Sequence, residues 1–259
     1  MEIVILPTAD AACAHGARLV ANLVSRKPDA VLALPTGSTP RPLYAELARM
    51  HRDEGLTFAR VTTFNLDEYI GLGPDHPASF RRYMEDTLIR HVDLSPGRVH
   101  VPDGLTAEVP ATCAAYEASI TAAGGLDLAL LGLGEDGHIA FNGPTSSFGS
   151  RTRLKTISTR TRAANQASFG AAPVPGHVIT MGVATILSAR RCLLLATGSR
   201  KAAAVATAVE GPLTSMVPAS ALQLHPSVTV LCDEEAAAHL ALREYYRSVH
   251  AAKPEWQRE

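Results

Sequence analysis

Short apolar runs alternate with stretches of helical periodicity along the whole chain. Residues 3–6 form an apolar run closed by Pro7, after which Asp10 suits a helix cap. Leu19, Val20, Leu23 and Val24 then recur at helical spacing until Lys27-Pro28 ends the pattern. Residues 30–34 are a second apolar run. They lead directly into Pro35-Thr36-Gly37-Ser38-Thr39-Pro40, with a helix expected to open at the second proline. Further runs at 60–65, 99–101, 128–131, 193–196 and 228–231 read as strands. Helical stretches at 78–91, 111–123 and 234–250, and one opening at Arg200-Lys201, separate them. Residues 145–177 are polar, rich in Ser, Thr and Arg, and lack a clear period, so they are expected to form a mobile covering segment or lid.

Strands that alternate with helices predict an α/β fold: a doubly wound, largely parallel, Rossmann-like sheet with helices on both faces. No internal repeat or linker breaks the pattern, so residues 1–259 are expected to form a single domain with the lid at 145–177. Four predicted strand ends carry polar clusters: Thr36–Thr39, Asp67–Tyr69, Glu135–His138 and Ser199–Lys201. Parallel strands bring such ends to one edge of a sheet, where ligands bind. One shared pocket is therefore expected.

Each cluster suggests a chemistry. A strand followed by the turn Thr36-Gly37-Ser38-Thr39 and a helix aims backbone N–H groups and hydroxyls at an anion such as phosphate. It is not a P-loop, because G-x-x-x-x-G-K-[ST] is absent. Asp136 stands two residues from His138, where a carboxylate can fix the imidazole tautomer for acid/base work. Asp67, at another strand end, is a candidate base. Lys201 in a first helical turn opposes the helix dipole unless an anion lies between them. Gly132-x-Gly134-x-x-Gly137 matches a dinucleotide fingerprint in letters only, since Glu135 and Asp136 would repel a pyrophosphate.

Composition narrows the classes. A formal net charge of −1 gives no electrostatic case for nucleic acid or an anionic membrane. Cys13, Cys113, Cys192 and Cys232 form no C-x-x-C pair and read as buried free thiols. The histidines show no metal-ligand spacing, so no metal is expected. The first residues lack a basic region before an apolar core, and no run approaches a membrane span of about 20 residues. A cytoplasmic enzyme is expected.

Three motifs together resemble the glucosamine-6-phosphate deaminase family, also called glucosamine-6-phosphate isomerase. They are Leu34-Pro-Thr-Gly-Ser-Thr-Pro40, Phe64-Asn-Leu-Asp-Glu-Tyr69 and Leu133-Gly-Glu-Asp-Gly-His-Ile-Ala-Phe-Asn142. The likeness runs from about Ala30 to Asp233. It implies conversion of glucosamine 6-phosphate to fructose 6-phosphate and ammonia without metal or cofactor. By position, Asp67 would move the proton between C2 and C1, and His138 would open the sugar ring with Asp136 holding it. Thr36, Gly37, Ser38, Thr39 and Lys201 would hold the phosphate. Some relatives are hexamers with an allosteric site that Ser146, Arg153 and Lys155 match, so a homo-oligomer is a further implication.

The sequence departs from that pattern twice. Gly143 stands where the family has a glutamate thought to relay charge with the histidine. Ala167 stands where the family has a phosphate-binding lid arginine, for which Arg160 or Arg162 is the candidate substitute. Galactosamine-6-phosphate deaminase, 6-phosphogluconolactonase and a non-catalytic sugar-phosphate sensor are the competing readings. The joint presence of Asp67, Asp136 and His138 argues against the sensor, which needs binding groups but no base.

Overall fold

The structure, a computed structural model, describes residues 1–254 and Gln257; the side chain of Arg160 lies outside the described residues. Its strands, in chain order, are β1 (Glu2–Leu6), β2 (Val31–Leu34), β3 (Thr62–Asn65), β4 (Asp67–Tyr69) and β5 (Val99–His100). They continue with β6 (Leu128–Gly132), β7 (Arg153–Thr156), β8 (His177–Thr180), β9 (Arg191–Ala196) and β10 (Val228–Asp233). Seven of them form one sheet in the order β1-β10-β9-β6-β2-β3-β5. Every pairing in it is parallel.

Side-chain alternation along these strands builds two cores. Leu32 and Leu34 of β2, with Leu128 and Leu130 of β6, pack against α1 (Ala9–Arg26), α2 (Arg41–Glu54) and α3 (Phe80–Thr87). Val31, Ala33, Ala129 and Leu131 face the other way. There they meet Tyr116 and Ile120 of α4 (Val109–Ala122). After α5 (Thr159–Asn165), the same core takes Ile186 of α6 (Val183–Leu187) and Val205 of α7 (Ala202–Val209). Being buried on both faces is why β2 and β6 read as continuous apolar runs. Helix α8 (Arg243–Ala251) packs beside β1 and is tied to it through Glu2, which accepts from Lys253 Nζ at 2.7 Å and contacts His250 Nδ1 at 3.0 Å.

Three expectations need correction. Thr8, not Asp10, caps α1, its side chain accepting from the Ala11 N–H. Residues 234–242 do not continue the last helix; they turn, with Asp233 accepting the Ala236 N–H and Glu210 those of Ala241 and Leu242. Part of the polar segment after residue 145 is a second sheet. There β4, β8 and β7 pair antiparallel, in that order. Antiparallel pairing draws on main-chain groups, and β7 (Arg-Leu-Lys-Thr) alternates half-buried and exposed positions without an apolar face to signal it.

The two sheets meet at Leu66. Its N–H donates to Leu34 O, and its carbonyl accepts from Met181 N at 2.7 Å. Glu117 of α4 fastens the start of β7. Its Oε1 accepts from the Thr152 N–H at 2.8 Å, from the Thr152 hydroxyl and from the Thr185 hydroxyl. At Gly182 a Cβ would stand 2.0 Å from the Ser150 carbonyl oxygen and 2.4 Å from that of Arg151. These are backbone atoms that cannot rotate aside. Gly182→Ala is therefore expected to cost about 3 kcal/mol, at the upper end of overpacking. That corresponds to a melting temperature lower by roughly 6–12 °C, which a thermal melt reads directly.

Candidate active site

β2 and β6 are adjacent in the sheet but lead to opposite halves of it, so the crevice between the loops that follow them is the topological switch point. After β2, Gly37 adopts φ +102°, a conformation that L residues rarely take. Two phenols fix this turn: Tyr44 Oη donates to Pro35 O and Tyr83 Oη to Gly37 O, both at 2.6 Å. α2 then starts at Arg41. Among the described residues, the N–H groups of Gly37, Ser38 and Thr39 take no protein acceptor. Free donors in a turn at a helix start can receive an anion.

After β6, Asp136 and His138 form a dyad. His138 Nδ1 lies 2.5 Å from Asp136 Oδ1, and the His138 N–H donates to the same oxygen at 3.2 Å. A carboxylate accepts, so the imidazole carries its proton on Nδ1 and presents Nε2 for reaction. The hydrogen bond from His138 pushes the Asp136 carboxyl down to about 2. Gly134 lets the ring lie against the backbone: a Cβ there would stand 2.1 Å from His138 Nδ1. Ala140, in the cavity wall, has φ +52°, an uncommon backbone for alanine.

Asp67 opens β4, where the chain crosses from one sheet to the other. It is 4% exposed and faces the same crevice. Burial pushes its carboxyl well above the ordinary range, and the charge of Glu68 acts in the same direction. A raised pKa makes a stronger base once ionised. Lys201 stands in the short turn Ser199–Lys201 that precedes α7. Burial pulls its ammonium down, while Glu135 and Asp136 act the other way. The N–H groups of Gly198 and Ser199 are taken by Asp233 and Glu235, so Lys201 alone of that cluster lines the crevice.

The crevice is a cavity of about 460 Å³, and Thr36–Thr39, Asp67, Asp136, His138 and Lys201 all line it. Lys201 and His138 are its basic side chains among the described residues. Thr161, Asn165, Ser168 and Phe169 close its far side. Asn165 Nδ2 donates to Tyr69 Oη at 2.8 Å, and Tyr69 contacts Phe80, Phe141 and Phe169 at ring-centroid distances of 4.8, 5.8 and 5.2 Å. The sequence reading missed this aromatic wall. Its members lie in four separate segments, and no spacing announces that they meet.

Other expected residues lie elsewhere. Ser146, Arg153 and Lys155 are outside the cavity. Arg162 is exposed and does not line it, and the Arg160 side chain is outside the described residues. A Cβ on Gly143 would meet nothing within 4 Å. Among the described residues, no group of three or more His, Cys, Asp or Glu side chains could hold a metal ion.

A parallel α/β sheet with a buried carboxylate, a His–Asp dyad and an anion cradle around one crevice defines an acid/base enzyme for a small phosphorylated ligand. Residues 7–231 match the family described as glucosamine-6-phosphate isomerases/6-phosphogluconolactonase, and the chain belongs to it. It is 52% identical over 258 residues to the glucosamine-6-phosphate deaminase of Arthrobacter sp. (strain FB24), covering 99% of both chains. To that of Mycolicibacterium smegmatis it is 48% identical over 259 residues, again with 99% of each chain covered. Among solved structures it resembles a monomeric glucosamine-6-phosphate deaminase at TM-score 0.90 and 44% identity, covering 92% of this chain and 100% of that one. The 6-phosphogluconolactonase of Trypanosoma brucei shares the fold at TM-score 0.74 and 23% identity, covering 93% and 98% of the two chains.

Proposed function

We propose that this protein is a glucosamine-6-phosphate deaminase, converting glucosamine 6-phosphate and water to fructose 6-phosphate and ammonia in amino-sugar catabolism. The observation that carries the reading is the convergence of a buried carboxylate, a His–Asp dyad and an anion cradle on one cavity. The full-length identity to deaminases supports it over the lactonase. His138 moves a proton between the ring and anomeric oxygens, which opens the sugar to its aldehyde, while Asp136 holds the imidazole. Asp67 takes the C2 proton, giving an enolamine. Protonation at C1 leaves an iminium at C2, and water adds there to release ammonia and the ketose. Ionised Asp67 is needed, so kcat/KM falls as pH drops through its raised pKa.

The Thr36–Thr39 cradle and Lys201 hold the phosphate, and Thr161, Asn165 and Ser168 offer neutral donors from the covering segment, which serves as a lid. Lys201→Ala is expected to raise KM about 10- to 100-fold with a smaller change in kcat, the scale of one charge-assisted hydrogen bond. Steady-state kinetics at saturating and limiting substrate check the split. Ser146, Arg153 and Lys155 belong to a separate regulatory anion site. Arg153 and Lys155 are both half-buried on one face of β7, and the buried Ser146 hydroxyl has no hydrogen-bond partner among the described residues. No helix among the described residues is long and apolar enough to cross a membrane. On this reading the enzyme works in the cytoplasm.

The test is a substrate panel: glucosamine 6-phosphate, galactosamine 6-phosphate and 6-phosphogluconolactone offered separately to the purified protein. Consumption of the first in preference to the other two is expected. Preferential lactone hydrolysis would overturn the reading.

A further inference from the structure

Asp67 and Glu68 are neighbours on the three-residue strand β4, whose alternation sends their side chains to opposite sides. Asp67 lines the cavity and Glu68 does not. The Glu68 carboxylate, 2% exposed, turns instead to the start of α3. Its Oε1 accepts from the Tyr69 N–H at 2.8 Å and the Phe80 N–H at 3.0 Å, and its Oε2 from the Arg81 N–H at 3.0 Å. Ser79 Oγ takes the Arg82 N–H, completing the helix cap. Three N–H bonds and the positive end of a helix hold a negative charge at this spot.

Building on Asp67 as the base, we infer that Glu68 is a positioning residue for it: it anchors β4 to α3, fixing where the Asp67 carboxylate stands, and its buried charge strengthens that base. Burial pushes Glu68 itself up to about 6, against the pull of its three N–H bonds, so it is ionised through the neutral range. The other groups near Asp67 leave Glu68 as the charge set beside it. Tyr69 on β4, Tyr44 from α2 and Tyr116 from α4 are phenols whose acidities burial weakens further, so they stay neutral. Glu135, Asp136, His138 and Lys201 line the cavity together with Asp67. There water and substrate screen them, while the protein between Asp67 and Glu68 does not.

Glu68→Gln keeps the side chain's length and one acceptor and removes the charge. In assays of ammonia release, the acidic limb of kcat/KM is expected to move down by about one pH unit, because Asp67 then ionises at lower pH. The plateau is expected to fall about threefold, because a weaker base accepts the C2 proton less readily. A purely structural role would lower the rate at every pH and leave the limb in place, which would overturn the inference. If the variant does not fold, a carboxyl-carbon NMR titration of the wild-type protein decides, with Asp67 assigned by its loss in Asp67→Asn. Two inflections in the Asp67 resonance are expected, one of them following Glu68; a single inflection would overturn the coupling. Wild-type protein that releases no ammonia defeats the deaminase reading and this inference with it. Release with an unmoved limb defeats the role of Glu68 alone.

Discussion

Replacing Asp67 with asparagine is expected to lower turnover of glucosamine 6-phosphate by about 10²- to 10⁴-fold, the contribution of a positioned general base. In free energy this is about 3–5 kcal/mol of barrier. Asparagine is nearly isosteric and cannot accept the C2 proton, so the loss belongs in kcat and not in KM. Removing the carboxylate also relieves the cost of burying a charge at a position only 4% exposed. The variant should thus be at least as stable as the wild type while nearly inactive. Steady-state kinetics alongside a thermal melt check both halves. An unaffected kcat would remove Asp67 from the role of base.

The second large effect is expected from one methyl group. Gly134→Ala puts a Cβ where His138 Nδ1, Cε1 and Cγ lie at 2.1, 2.2 and 2.6 Å. The ring must move, and moving it breaks the 2.5 Å contact with Asp136. A displacement of about 1 Å in a catalytic group can cost about 10²-fold in rate. Gly134 is not among the glycines with positive φ, so alanine suits its backbone and the global fold should tolerate it. The expected signature is activity down about 10²-fold with the melting temperature within roughly 2 °C of wild type. A silent substitution would mean that the His138 position matters little to turnover.

Much of the site was legible because its chemistry sits on strand ends. Thr36–Thr39, Asp67, Asp136, His138 and Lys201 follow apolar runs, and parallel topology alone brings them to one edge. The apolar runs themselves were readable because β2 and β6 are covered on both faces. What the sequence concealed depends on pairing. β7 carries no apolar signature that separates it from loop, yet with β8 it completes a second sheet with β4. Asn165 meets Tyr69 across 96 positions of chain. No local signal marks Glu68 as buried, and its burial appears only once α3 folds back onto β4. Of the Ser199–Lys201 cluster only Lys201 lines the cavity, because the N–H groups of Gly198 and Ser199 are taken by Asp233 and Glu235.

Gly143 sharpens the mechanism. Open space surrounds its missing side chain, so the hydrogen bond from His138 goes to Asp136 and no carboxylate at position 143 assists it. On the proposed mechanism, ring opening relies on the His138–Asp136 dyad.

The reaction of glucosamine 6-phosphate carrying deuterium at C2 tests the central claim most directly, with ammonia and the sugar phosphate product measured together. Proton transfer by Asp67 requires one ammonia per fructose 6-phosphate, with the C2 deuterium delivered to C1 or exchanged into solvent, and the loss of both products in Asp67→Asn. Absence of ammonia, or an aldose product that keeps its C2 deuterium, would contradict it.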